Sequence, residues 1–531
     1  MQKVLVANRG EIALRVFRAA RELGLGTVAV VAPDDTGSLH GRSADETIEI
    51  ASYLYSEEHI RAAKQAGADA IHPGYGFLAE NGDFAEAVEA AGLTWVGPPA
   101  EALRAGGDKL AAKRIAEEAG VPTIPATDEP PLIVKAAAGG GGRGMRIVRS
   151  RGELDEAVQA ARREAKAAFG DDTVYLERYV ERPRHVEIQL LADEHGTVLS
   201  LGERDCSVQR RHQKVLEESP SPGLDPDLRA RMSDAAVRFA RAIGYVGAGT
   251  AEFVVDGREF YFLELNGRIQ VEHPVTEAVT GIDLVQWQLR IARGEALDIR
   301  PQQRGAAVEV RLYAEDPRTF LPQAGRIEKL RLPTSVRVDA GVAEGDEVGT
   351  SYDPMIAKLI ASGATRDEAL DRLAGALAET EVRGVTTNLP FLRWLVAHPA
   401  LRAGEATTAF LVDYPPLSAP PAALPADVWR DPFRLNLPSP APQPPPDIDA
   451  AAHAHGTGVV SSTLTAPMPG TVIKVNVHTG STVQAGDPLV VLEAMKMETP
   501  LLAPFDATVK AVHVEEGDRV AGGAVLVELD D

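Results

Sequence analysis

Short apolar runs alternate with amphipathic stretches from the first residues of the chain. Val4–Ala7 is followed by the helical pattern Glu11–Leu23, the apolar run Val28–Val31, a second helical pattern Glu57–Ala66, and Ala70-Ile71. This rhythm predicts a parallel sheet covered by helices over residues 1–97. A helix at 109–119, opened by Lys109, is followed by Pro122 and Pro125, so 98–124 reads as a connecting helix segment. Beyond it come a strand, Leu132–Lys135, a glycine run, a returning strand, Met145–Val148, a helix, Glu153–Phe169, and a strand, Val174–Tyr179. Together these predict a small lid-sized unit at 125–184.

A larger α+β region is predicted for 185–413. It has a strand at His185–Leu191, a helix at Asp227–Ile243, and strands at Thr250–Val255 and Phe260–Leu265. Between the first two lies the segment Gly202–Lys214, rich in charged and polar residues. Residues 414–457 then turn to Pro and Ala, the composition of a semi-extended tether. Trp429 and Phe433 interrupt it and give a short piece the means to dock on a neighbour. In polyproline form, at roughly 3 Å per residue, the tether reaches on the order of 100 Å.

The last segment, 458–531, contains an internal repeat. Ala466-Pro467, Gly470-Thr471-Val472, Val475, Gly480, Val483 and Gly486 recur as Ala503-Pro504, Ala507-Thr508-Val509, Val512, Gly517, Val520 and Gly523, at a constant offset of 37 residues. β-branched residues near period two with Gly at the turns predict two matched halves of a quasi-symmetric β-sandwich. Lys496, between Met495 and Met497, falls on the hairpin joining the halves. An amine at the tip of a rigid knob suits a covalently attached cofactor, and a long tether before the knob implies that it travels.

At 531 residues the chain is too long for one core. Its net charge of −22 disfavours nucleic-acid binding, which needs a basic footprint. A single cysteine, Cys206, excludes an intramolecular disulfide framework and suits a reducing compartment. No signal peptide and no membrane-spanning run is apparent, so a cytoplasmic location without membrane contact is expected. Cys206 is expected to pack or line a site rather than act as a nucleophile.

Two constellations carry chemistry. The run Gly139-Gly140-Gly141-Gly142-Arg143-Gly144 between two strands can close over phosphates, because missing β-carbons let backbone N–H groups approach oxygens. Lys135 just ahead and Lys109 upstream can neutralise polyphosphate charge. Glu252 and Glu264 each sit between apolar neighbours on successive predicted strands. With Asn266 they make an oxygen-rich site for Mg²⁺ or Mn²⁺ bridging ATP phosphates.

In order, His72–Asn81, Gly139–Met145, Glu203–Glu218, Gln270–Glu277 and Tyr352–Lys358 resemble the biotin carboxylase component of biotin-dependent carboxylases. Ala494-Met495-Lys496-Met497 is similar to the biotin-attachment motif of biotinyl domains. The resemblance implies an ATP-grasp carboxylase of three parts (N-terminal parallel α/β, glycine lid, C-terminal α+β), followed by an all-β sandwich of the biotinyl/lipoyl type. Glu177 and the Tyr179-Val180 backbone would read adenine, while His185, Gln209 and His212 would line the nucleotide site. Glu272 would be the base that deprotonates bicarbonate, positioned by Lys214, Arg268 and the Val271 backbone. Arg311 would stabilise developing negative charge on biotin, carried covalently on Lys496.

The family commonly has Asn-Thr-Arg where this chain has Asn266-Gly267-Arg268, and Asn where Tyr313 stands. Gly267 is expected to loosen a strand, so that Thr there would preserve or raise activity. The segments after Val31 and between Ile124 and Leu132 are shorter than expected. The resemblance implies the alpha subunit of an acetyl- or propionyl-CoA carboxylase, with a separate carboxyltransferase (beta) subunit and a biotin protein ligase as partners. A homodimer or larger hetero-oligomer is expected. The alternatives are a pyruvate, methylcrotonyl-CoA or urea carboxylase subunit, or a non-catalytic biotin carrier.

Overall fold

The apolar runs of the first segment pair as a five-stranded parallel sheet, β1 (Lys3–Val6), β2 (Gly26–Val31), β3 (Glu46–Glu49), β4 (Ala70–His72) and β5 (Thr94–Trp95), in the order β3-β2-β1-β4-β5. Buried on both faces, β1 and β2 need near-continuous apolar sequence. The helix Gly10–Glu22 buries Ile12, Val16, Phe17 and Ala20 on one stripe against this sheet. The computed structural model describes residues 1–137, 145–210, 213–349, 351–417, 429–431, 434–435, 463–466, 470–484, 486–494, 497–520 and 524–530.

The lid unit is a three-stranded antiparallel sheet, β6 (Leu132–Ala136), β7 (Arg146–Val148) and β8 (Val174–Arg178), in the order β7-β6-β8, backed by the helix Leu154–Phe169. Gly139, Gly140, Gly141, Gly142 and Gly144 lie outside the described residues.

The largest element is an eight-stranded sheet. Its strands are β9 (Arg184–Ala192), β10 (Val198–Arg210), β11 (Gln213–Ser219), β12 (Gly247–Asp256), β13 (Glu259–Asn266), β14 (Ala306–Tyr313), β15 (Arg337–Ala340) and β16 (Met355–Gly363). They run in the order β13-β12-β9-β10-β11-β14-β16-β15. The described residues of Gly202–Lys214, a segment the sequence assigns to no element, fall in two strands, β10 and β11. Their buried polar side chains bond to those of neighbouring elements, as Arg204 and Lys214 do to Glu187 and Glu217 does to Arg311, which a search for apolar alternation does not register. Cross-strand register lines charges up across the sheet. Glu264 faces Glu252, Glu252 faces Glu187, and Glu187 faces Arg204. Further along, Arg311 faces Lys358, which faces Asp339.

The C-terminal sandwich has two four-stranded sheets. Gly470–Val475, Thr482–Val483 and Pro488–Ala494 recur, 37 residues on, as Ala507–Val512, Arg519–Val520 and Val525–Asp530. Each sheet combines strands from both halves, as the repeat implies. Ala494 pairs with Met497 across the hairpin, and Met495 and Lys496 lie outside the described residues. Of the Pro/Ala tether, Trp429–Asp431 pairs with Arg434–Leu435. Among the described residues no helix is long and apolar enough to cross a membrane.

His72, at the end of β4, ties the parallel sheet to the rest. Its Nδ1 accepts the Gly74 N–H at 3.0 Å and its Nε2 meets Gln288 Oε1 at 3.2 Å. Burial, against the Gln288 hydrogen bond and helped by nearby Arg15, lowers its pKa to about 4. An unfolded imidazole titrates near 6.5, so between those values the unfolded chain binds more protons and stability rises with pH. As pH falls from 6.5 towards 4, this group withdraws about 1.4 kcal/mol of stability per pH unit. His72→Asn, which keeps an acceptor for Gly74 but cannot titrate, should lose about 2 kcal/mol less than wild type between pH 7 and 5. Parallel unfolding free energies for the two proteins across that range would remove His72 from this role.

Candidate active site

Lys214, near the start of β11, is the centre of the site. Its ammonium donates to Glu187, to Glu252 Oε1 at 2.8 Å and to Glu272 Oε1 at 2.7 Å. Glu272 is fully buried and stands just before the helix His273–Thr280. Its other oxygen takes a hydrogen bond from Arg311 at 3.1 Å, and Arg311 also pairs with Glu217 at 2.5 Å. Arg204, with no exposed surface, pairs with Glu187 at 2.5 Å and donates to Gln189 Oε1 and Thr276 Oγ1.

Burial pushes the Glu272 carboxyl up, but the charges of Lys214, Arg311 and Arg204 outweigh it and hold it well below the ordinary carboxylate range. Glu252 is shifted the same way: burial opposes, and Lys214 and His185 prevail. Glu264, directly opposite Glu252, is raised by burial and by Glu252's charge, with Lys109 opposing. A buried and a half-buried acid face to face, the latter resisting ionisation, form a donor set that a divalent cation would complete.

Asn266 sits beside this pair. Its amide nitrogen donates to Glu252 Oε1 at 3.0 Å, and its oxygen takes Arg268 at 2.7 Å. In this geometry it orients Glu252, and Glu252 with Glu264 would supply the charge for Mg²⁺ or Mn²⁺. His185 Nε2 lies 3.0 Å from Glu252 Oε2, and His185, Glu187 and Glu252 bring their donor atoms within 4.8 Å of one another.

A cavity of about 320 Å³ opens against these residues, lined by Glu80, Leu103, Lys109, Glu264, Asn266 and Arg268. Arg268 is held from three sides. It pairs with Glu80 Oε2 at 3.0 Å, donates to Gln270 Oε1 at 2.9 Å, and reaches Asn266. Cations, Lys109 and Arg268, and acids, Glu80 and Glu264, therefore share the cavity wall.

The nucleotide-side residues are placed as follows. Glu177 on β8 accepts Lys135 at 2.8 Å and Lys113 at 2.7 Å. Its carboxylate thus fixes two ammonium groups. The Tyr179 N–H is given to the Pro131 carbonyl at 3.1 Å, and Val180 packs with Ile124 and Val254. Gln209 donates to the Cys206 carbonyl at 2.9 Å, and His212 lies outside the described residues. Burial drives the Cys206 thiol far above its usual range, which fits a packing position and not a thiolate nucleophile.

Several participants were missed by sequence reading: Glu80, Lys113, Glu187, Arg204 and Glu217. A signal for Glu187 was present, since His185, Glu187 and Gln189 alternate with apolar residues along β9 and are all buried. Glu217 faces Glu309 directly across β11 and β14. Burial raises the Glu217 carboxyl to about 7, against the charge of Arg311. Tyr313 is buried beside Arg311, and Asn388 clamps both, bonding the Arg311 carbonyl at 3.0 Å and the Tyr313 N–H at 2.9 Å.

Gly267 requires a correction. It lies past the end of β13, not within a strand, and its N–H donates to Glu80 Oε1 at 2.9 Å. A β-carbon there would stand 2.7 Å from Leu103 Cδ2. Leu103 is buried on the cavity wall, so admitting a β-carbon requires its side chain to shift into the cavity. Gly267→Thr is therefore expected to destabilise by about 1–3 kcal/mol and to lower activity. Adding Leu103→Val, which removes the opposing methyl, should restore part of both. Thermal melting that shows the Thr variant at or above wild type would contradict the steric reading.

Comparison with known proteins gives a consistent picture. Residues 1–103 match the family model for the biotin carboxylase N-terminal domain, and 309–413 match that for its C-terminal domain. Residues 108–300 match the carbamoyl-phosphate synthase L chain ATP-binding domain, and 462–529 match the model described as biotin-requiring enzyme. The chain is 48% identical over 441 residues to biotin carboxylase of Halalkalibacterium halodurans, covering 78% of this chain and 98% of that protein. It is 46% identical over 463 residues to the propionyl-CoA carboxylase alpha chain of Ruegeria pomeroyi, covering 78% and 68%. Against the Arabidopsis thaliana methylcrotonoyl-CoA carboxylase alpha subunit, 48% identical over 442 residues and covering 77% of this chain, it spans 60% of the relative's length. The crystal structure of Hydrogenobacter thermophilus 2-oxoglutarate carboxylase biotin carboxylase domain, with MgADP, ADP and bicarbonate, superposes at TM-score 0.76. That pair shares 43% identity, over 78% of this chain and 98% of that one.

Proposed function

Since the chain belongs to the biotin carboxylase family and carries a biotinyl domain, we propose that it carboxylates biotin held on Lys496, using ATP and bicarbonate, as the alpha subunit of an acyl-CoA carboxylase. The single observation that carries the chemistry is the grip on Glu272, a buried carboxylate bonded by Lys214 on one oxygen and Arg311 on the other.

Bicarbonate is a poor nucleophile until it loses its proton, and Glu272 is the group placed to take it. In the free protein the surrounding cations hold Glu272 ionised but weakly basic. As anionic substrates enter, Lys214 and Arg311 divide their attraction, and the basicity of Glu272 rises at the moment it is needed. Carbonate then attacks the γ-phosphorus of ATP and ADP leaves, giving carboxyphosphate. Lys109 and Lys135 are disposed to hold phosphates, and Glu252 with Glu264 to hold the metal ion, which would neutralise charge on them. Arg268, anchored by Glu80 on the cavity wall, would orient the bicarbonate. Biotin on Lys496 supplies the ureido nitrogen that accepts the carboxyl group. Arg311 stands beside Glu272 to balance negative charge there.

The second half-reaction requires a carboxyltransferase, which we assign to a separate subunit. Support for an acyl-CoA acceptor comes from the propionyl-CoA and methylcrotonoyl-CoA carboxylase relatives. A biotin protein ligase, a homodimer or larger assembly and a cytoplasmic setting complete the proposal.

Two variants separate catalyst from carrier. Glu272→Gln should reduce bicarbonate-dependent ATP cleavage by about 10²–10⁴-fold, while nucleotide affinity stays near wild type. Lys496→Arg keeps the charge but cannot be biotinylated. It should cleave ATP normally with free biotin, yet support no acyl-CoA carboxylation with the partner subunit. Near-normal turnover of the first, or biotin on the second, would sink the corresponding assignment.

A further inference from the structure

Lys358 has no exposed surface and does not line the cavity beside Lys109 and Glu264, so it is not placed to touch a substrate there. It lies on β16 directly opposite Arg311 on β14. Its ammonium donates to the Val271 carbonyl at 2.7 Å and pairs with Glu11 Oε1 at 3.0 Å. Glu11, buried in the first turn of the helix Gly10–Glu22, also accepts the Tyr75 hydroxyl.

The Val271 carbonyl belongs to the peptide group whose nitrogen is that of Glu272. Residues 267–272 form no regular element between β13 and the helix that follows, so point contacts must hold their backbone. The Gln270 carbonyl takes His273 Nδ1 at 2.7 Å, and the Val271 carbonyl takes Lys358. Neighbouring strands thus grip Glu272 twice, Arg311 on its side chain and Lys358 on its main chain. Through Glu11 and Tyr75 the second grip extends into the N-terminal unit.

We propose that Lys358 is a positioning residue for the base, a buried clamp through which Glu11 and Tyr75 fix the peptide that carries Glu272. The proposal rests on the reading of Glu272 as the base for bicarbonate. A bland alternative is that Lys358 only neutralises buried Glu11 and Asp339.

The test uses the full-length chain and bicarbonate-dependent ATP cleavage. Lys358→Met alone strands Glu11 and can fail to fold, so the informative protein is the double variant Lys358→Met/Glu11→Gln, which removes both charges together. If Lys358 positions the base, the double variant should show a KM for bicarbonate raised at least tenfold, with KM for MgATP within twofold of wild type. A wild-type bicarbonate KM in that protein, or an equal rise in both KM values, would overturn the proposal. Glu272→Gln, assayed alongside, separates the two readings. If it retains bicarbonate-dependent cleavage, the base assignment falls and the clamp falls with it. If it loses cleavage while the double variant behaves as wild type, only the clamp falls.

Discussion

One ammonium group bears most of this site. Lys214 bonds Glu187, Glu252 and Glu272, carboxylates from β9, from β12 and from the turn before a helix. Burying an isolated charge costs several kcal/mol, and removing one partner of a buried pair typically costs 3–5 kcal/mol. The three acids can therefore be buried together only while Lys214 stands among them. Arg204 and Arg311 close the network on either side. This obliges the strands to keep one register, because a one-residue slip would turn each row of charges to the opposite face.

The same constraint links fold to chemistry. The proposed base must stay ionised in a buried site, and the cations around Glu272 secure that. They also weaken it as a base, so the arrangement works only if incoming anions draw those cations away. Phosphate and bicarbonate carry the charge needed to do so. The acids proposed to hold the metal ion, Glu252 and Glu264, adjoin the proposed base through Glu252's share of Lys214. Substrate charge, metal charge and base are thus coupled through one side chain.

Much of the architecture was legible in the sequence. The parallel sheet followed from alternating apolar runs, and the sandwich followed from a 37-residue repeat that reappears strand for strand in the two sheets. Glu252 and Glu264 were singled out because single acids between apolar neighbours are conspicuous, and the sheet sets them directly opposite one another. β10 and β11 were not found, since their buried face is polar and apolar periodicity is blind to it. Arg204, Glu187 and Glu217 escaped for the same reason: each is intelligible only with a partner from another strand. Gly267 was misjudged because strand ends and the reach of Leu103 are tertiary facts.

The central claim is that bicarbonate, activated at Glu272, is the nucleophile toward ATP. Isotope transfer tests it most directly. With ¹⁸O-labelled bicarbonate and unlabelled ATP, carbonate attack leaves its bridging oxygen on phosphorus when carboxyphosphate breaks at the carbon–oxygen bond. The account predicts one ¹⁸O in each phosphate released during biotin carboxylation. Phosphate carrying only oxygen from water and ATP, released at the same bicarbonate-dependent rate, would contradict it.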